Sequence, residues 1–83
     1  MLKNFVEMVN GKIEEDNLLT IGIKCGNVHL IDAVVPYTIN TDNGIHIKGD
    51  WMNLDIPADY EITYDEFDDE FVIECGGMTI FFS

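Results

Sequence analysis

Arginine is missing altogether, and lysine occurs only four times against sixteen aspartates and glutamates, for a formal charge of −12. A protein that binds DNA or RNA by neutralising phosphates needs a basic face, and this chain has none to offer. No apolar run approaches the roughly 20 residues of a membrane-spanning helix. Met1–Glu7 lacks the continuous apolar segment of a secretory leader, so a cytoplasmic location is expected, with no membrane partner. Cysteine is limited to Cys25 and Cys75, without Cys-x-x-Cys spacing. In a reducing compartment these are expected to be inert core thiols rather than a disulfide. Glutamine is absent and alanine occurs twice, which removes good helix formers.

What remains is a chain of 83 residues that is 47% hydrophobic. That is too apolar for a charge-swollen disordered tail and the right length for a single domain over residues 1–83. At this size one small core forms, and a deep cleft between subdomains does not. Eleven isoleucines and five threonines favour pleated structure. Leu2, Phe5, Val6, Val9 and Ile13 recur at helical spacing, which predicts a short helix over residues 2–10 stopped at Gly11. Everything after it reads as strand.

Leu18–Cys25 and Val28–Val35 flank Gly26-Asn27, the signature of a two-residue hairpin. Tyr37–Thr41 and a long strand from Ile45 to about Ile56 flank Asp42-Asn43-Gly44. With Gly44 at positive φ, Ile39 falls opposite Ile47 and Asn40 opposite His46. Gly49 is a candidate bulge in the long strand. Trp51 and Met52 then point to opposite faces, one into the core and one to the surface. Pro57-Ala58-Asp59 makes the next turn. Tyr60, Ile62 and Tyr64 alternate with Glu61, Thr63 and Asp65; Phe71, Ile73 and Cys75 alternate with Glu70, Val72 and Glu74. A Gly76-Gly77 turn pairs Cys75 with Met78, Ile73 with Ile80 and Phe71 with Phe82. One face of this meander is continuously apolar and takes the core, Tyr60 and Tyr64 included. The expected fold is α+β: a short N-terminal helix packed on a six- to seven-stranded, mostly antiparallel, curled sheet built from hairpins.

Charge is divided unevenly. Residues 1–48 carry net −2, whereas residues 49–83 hold ten acids and no base. Closing the acidic hairpin through Glu66-Phe67-Asp68-Asp69 sets Asp65 opposite Glu70, Thr63 opposite Val72 and Glu61 opposite Glu74. Like charges so placed stand about 5 Å apart at Cβ and destabilise the hairpin. Val72 and Phe81 share this outer face, either under the N-terminal helix or as an apolar centre within a carboxylate rim. A charge run commonly does no more than solvate a face. Here the internal repulsion, which a cationic partner relieves, points to a contact surface. Alternate residues on a strand stand roughly 6.7 Å apart, comparable to successive phosphates of an extended nucleic-acid strand. Such a sheet fits a basic groove built for DNA or RNA. The candidate contact residues are Glu61, Asp65, Glu66, Asp68, Asp69, Glu70 and Glu74. The expected partner is a basic nucleic-acid-binding protein, a nuclease or effector, with no nucleic acid bound directly.

Other constellations are weaker. Cys25, His29, His46 and Cys75 offer zinc-type ligands but match no ribbon or finger spacing. Asp65, Asp68, Asp69 and Glu70 can gather around calcium, yet the loop lacks the length and the glycine of an EF-hand. Paired carboxylates also serve hydrolases as acid and base, but on an open sheet nothing separates their pKa values. Gly76-Gly77 opens no helix and so cradles no phosphate. The expectation is a protein with no cofactor, no metal and no catalytic residue.

Through its size, its charge and acidic stretches such as Tyr64-Asp65-Glu66-Phe67-Asp68-Asp69-Glu70, the chain resembles the small acidic single-domain inhibitors that bacteriophages encode against host nucleases. These include anti-CRISPR proteins and anti-restriction DNA mimics. The resemblance covers the whole chain in kind and carries no diagnostic motif. Those proteins share no common fold, so no residue transfers. It implies steric competition at a nucleic-acid channel in the host cytoplasm, without catalysis. Two other classes fit the same residues: an accessory or homo-oligomeric interaction module using an edge strand or the Val72 and Phe81 patch, and an immunity protein for a basic toxin.

Overall fold

The computed structural model describes residues 1–83. One helix, α1 (Leu2–Glu15), precedes eight strands: β1 (Leu19–Cys25), β2 (Val28–Val34), β3 (Pro36–Asn40), β4 (Ile45–Gly49), β5 (Asn53–Ile56), β6 (Glu61–Asp65), β7 (Glu70–Cys75) and β8 (Met78–Phe82). They form two antiparallel sheets, five strands in the order β2-β1-β8-β7-β6 and three in the order β3-β4-β5. The class is the expected α+β, but two sheets replace the single sheet of six to seven strands.

Residues 45–56 account for the difference. Ile45 and Ile47 are odd-numbered, whereas Leu54 and Ile56 are even-numbered, so one continuous strand would send them to opposite faces. Instead the chain turns after Gly49, whose N–H donates to the Met52 carbonyl at 2.9 Å. The resulting hairpin sets Ile47 opposite Leu54 and Ile45 opposite Ile56. All four then face the core. Trp51 and Met52 lie in the turn rather than on a strand. Met52 packs against the core, and Trp51 stays exposed with its indole N–H donating to the Ala33 carbonyl.

The helix runs past Gly11. Glycine costs about 1 kcal/mol in a helix interior, but Ile13 continues the stripe that packs on the core. The stop comes at Asp16, in the left-handed region at φ 54°. There the Asp16 and Asn17 N–H groups donate to the Ile13 and Lys12 carbonyls, a Schellman-type end made by aspartate instead of glycine. Glu14, Glu15 and Asp16 oppose the helix dipole at this end, and no side chain caps the other. Packing therefore holds the helix. Phe5 and Val9 are fully buried. The Phe5 ring meets Phe82 and Phe71 edge-on, with centroids 4.9 and 5.5 Å away.

The core lies between the inner face of the larger sheet and a layer made of α1 and the smaller sheet. Ile21, Phe71, Ile73, Ile80 and Phe82 come from the first, and Ile45, Ile47 and Ile56 from the second. Val34, Val35 and Pro36 carry the chain from one sheet to the other. The crossing is close enough that a Cβ at Gly49 would overlap the fully buried Val34 side chain.

On the outer face of the smaller sheet, Asn40, His46 and Asp55 form a row. His46 Nδ1 lies 2.7 Å from Asp55 Oδ1, and its Nε2 lies 3.0 Å from the Asp42 carbonyl oxygen. Both neighbours are acceptors, so only the imidazolium satisfies them together. The hydrogen bond that His46 donates to Asp55 is the main cause that raises the His46 pKa above 6.5; burial opposes it and the Asp42 carbonyl adds to it. A folded-state value above the unfolded one gives stabilisation that is complete below pH 6.5 and lost as pH rises through the folded value. A proton NMR titration should place the His46 midpoint above 6.5, and Asp55→Asn should lower it. A midpoint that ignores Asp55→Asn would refute the pairing.

Candidate functional site: an acidic hairpin on an uncovered sheet face

β6 and β7 pair in the register that alternation predicts: Glu61 opposite Glu74, Thr63 opposite Val72 and Asp65 opposite Glu70. Following the pairings across the sheet gives one row of Thr63, Val72, Phe81, Gly22 and Ile31. The adjacent row holds Glu61, Glu74, Thr79, Lys24 and His29. Helix α1 contacts Phe71 and Phe82, and each of these points away from its chain neighbour Val72 or Phe81. The helix therefore lies on the other face and leaves Val72 and Phe81 uncovered. Both are half-buried by their strand neighbours alone. Gly22 opens a shallow groove of about 340 Å³ between Phe81 and Ile31. The outer surface is thus an apolar stripe flanked by carboxylates at its β6–β7 end and by Lys24 and His29 at its β1–β2 end.

The outer acids do not follow an alternate-residue spacing, because Thr63 and Val72 occupy the positions between them. They stand as two cross-strand pairs, Glu61 with Glu74 and Asp65 with Glu70, about 13 Å apart along the strands. The connecting loop adds Glu66, Asp68 and Asp69, all exposed. Asp65 shapes this loop. Its carboxylate accepts the N–H groups of Phe67 at 2.9 Å and Asp68 at 3.3 Å, an Asx turn. Asp69 takes φ 54°, and its carboxylate accepts the Tyr64 hydroxyl. That hydrogen bond is the main cause that raises the Tyr64 pKa, since a phenolate cannot donate; burial and the nearby acids add to it.

Tyr64 was expected in the core and instead lies on the open edge strand, 37% exposed; Tyr60 is half-buried. Glu70 is half-buried, and its pKa is raised first by that burial, then by the charges of Asp68 and Asp65. Asp65, Asp68 and Glu70 bring carboxylate oxygens within 4.8 Å of one another. None of the seven candidate acids forms an ion pair; the one ion pair is His46 with Asp55 on the other sheet.

Phe67 stands outside the seven acids that sequence reasoning selected. It is 97% exposed at the tip of the acidic loop. The available signal was a large aromatic residue with no strand position, enclosed by acids that have no use for it. The zinc-type ligands do not assemble. His29 faces outward on the larger sheet, His46 belongs to the smaller one, and Cys25 and Cys75 lie on either side of Met78. Both thiols are free, Cys25 exposed and Cys75 half-buried. Cys75 packs against the core, as expected, but Cys25 does not, because Cys25, Val28 and Leu30 at this end of the inner face have no layer over them.

No helix is long and apolar enough to cross a membrane. No family model, no curated protein and no solved structure matches the chain.

Proposed function

We propose that this chain is a non-enzymatic inhibitor that occupies the basic nucleic-acid-binding groove of a nuclease or CRISPR-type effector, as a nucleic-acid mimic. Glu61, Asp65, Glu66, Asp68, Asp69, Glu70 and Glu74 form the contact surface. The observation that carries the reading is their gathering on one hairpin, with two like-charge pairs fixed in register and no cation among them. That arrangement costs stability in the free protein. The cost is relieved when lysines and arginines replace water and counterions around the carboxylates. The two pairs, about 13 Å apart, span two steps of a roughly 6.7 Å repeat, and the loop acids extend the path past Asp65. Phe67 supplies an aromatic face among the charges, suited to the stacking platforms of single-strand channels. Binding excludes nucleic acid sterically and needs no bond made or broken.

The test is DNA binding and cleavage by a panel of purified CRISPR effectors and restriction nucleases, with and without the protein, at about 0.05 and 0.2 M salt. Inhibition that competes with DNA and weakens steeply at the higher salt is the expected result. No inhibition across the panel, or inhibition indifferent to salt, would count against the reading.

A further inference from the structure

We infer that two copies of this chain pair antiparallel through the edge strand β2, about a twofold axis at Leu30, to give a continuous ten-stranded sheet. β2 is one outer edge of the larger sheet. On β1, Thr20 exchanges both backbone hydrogen bonds with Ser83, at 2.8 and 3.1 Å. Thr20, Gly22 and Lys24 therefore bond towards β8, and the residues between them bond towards β2. Carried through the β1–β2 register, Val28, Leu30, Asp32 and Val34 bond to β1, while His29, Ile31 and Ala33 direct their backbone groups away from the sheet.

Ala33 is already satisfied. Its N–H donates to the Asp32 carboxylate at 2.8 Å, and its carbonyl accepts the Trp51 indole N–H at 3.1 Å. The free groups are those of His29 and Ile31. Beside them stand Val28, Leu30 and Ile31, 58%, 61% and 78% exposed.

Two free residues, two positions apart, permit one self-pairing. His29 lies opposite Ile31 of the second copy, and the reverse, with both N–H and both C=O groups used on each side. A shift one way meets the occupied groups of Ala33, and a shift the other way runs into the Gly26-Asn27 turn. Leu30 then faces its own copy in the non-hydrogen-bonded pair, where side chains come closest. Val28 faces Asp32 of the second copy, so no like charges oppose each other.

Charge favours a second copy at this edge and nowhere else on the sheet. The acidic hairpin occupies the opposite edge, β6. β2 carries one acid, Asp32, and Lys24 stands beside His29. A dimer made here holds the two acidic hairpins at its far ends, each still open.

Sedimentation of the whole chain should show the mass rising from 9.4 kDa towards twice that with concentration. Leu30→Lys, which opposes two ammonium groups on the axis, should hold it at the monomer mass. With Cys25→Ser and Cys75→Ser in place, Leu30→Cys should cross-link under mild oxidation far faster than Val28→Cys, whose partner position is Asp32. A chain that stays monomeric up to about 1 mM, with no preferential Leu30→Cys cross-link, overturns the dimer. Capture of a strand from an inhibited nuclease along β2 by such a monomer overturns it as well.

Discussion

Converting Asp65, Asp68 and Asp69 to asparagine and Glu70 and Glu74 to glutamine is expected to make the protein more stable and its proposed activity far weaker. The two effects have one cause. Both cross-strand acid pairs lose their repulsion, which at the usual size of such terms raises the melting temperature of a domain this small by roughly 5 °C. The same five charges are the ones a basic groove would read. Their removal should weaken inhibition about 100-fold at low salt and flatten its salt dependence.

Amides are the right replacement here, and lysines are not. Asp65 accepts two loop N–H groups and Asp69 accepts the Tyr64 hydroxyl from a left-handed backbone. Asparagine keeps the acceptor oxygen and tolerates that conformation. Glu70 adds a check on sign. Its folded-state pKa lies above the ordinary 4.5, so the fold holds the proton more tightly than the unfolded chain does. Its penalty is therefore full above the folded value and vanishes below pH 4.5. The gain from Glu70→Gln alone should appear at neutral pH and fade on acidification. Thermal melts at the two pH values measure it; a five-amide variant that melts below the parent would sink the account of the hairpin as strained.

Phe5→Ala is expected to leave no folded population at 25 °C. Phe5 is fully buried and lies edge-on to both Phe71 and Phe82. Truncating such a ring costs about 3–5 kcal/mol. A domain this size has only a few kcal/mol in total, part of it already offset by net charge. The helix has no reserve, being uncapped at its start and carrying acids at its end. Far-UV circular dichroism and NMR dispersion should both collapse, while Phe5→Leu should fold with a lowered melting temperature. Cooperative melting of Phe5→Ala near that of the parent would show that α1 does not hold the core closed.

The hairpins were legible in the chain and the layers were not. Gly26-Asn27 and Gly76-Gly77 are two-residue turns between alternating segments, and turn length with alternation sets register without reference to anything distant. The like-charge pairs follow from the same local rule. Gly11 misled because its propensity cost is small beside the burial that Ile13 gains by continuing the helix. The change of parity between Ile47 and Leu54 announced a hairpin, but Gly49 read equally well as a bulge. Tyr64 and Cys25 were placed in the core by parity, yet parity names a face and not whether another layer covers it.

The sequence by itself determined the pairs β1–β2, β3–β4, β6–β7 and β7–β8, the apolar face of these hairpins and the concentration of acids in one of them, since these depend on neighbours in the chain. The tertiary structure alone decided that β1 joins β8, that α1 packs over Phe71 and Phe82 rather than Val72 and Phe81, and that β2 and β6 become the edges. Those choices turn on burial between segments up to some sixty residues apart, such as Gly22 beside Phe81, where no local spacing carries the information.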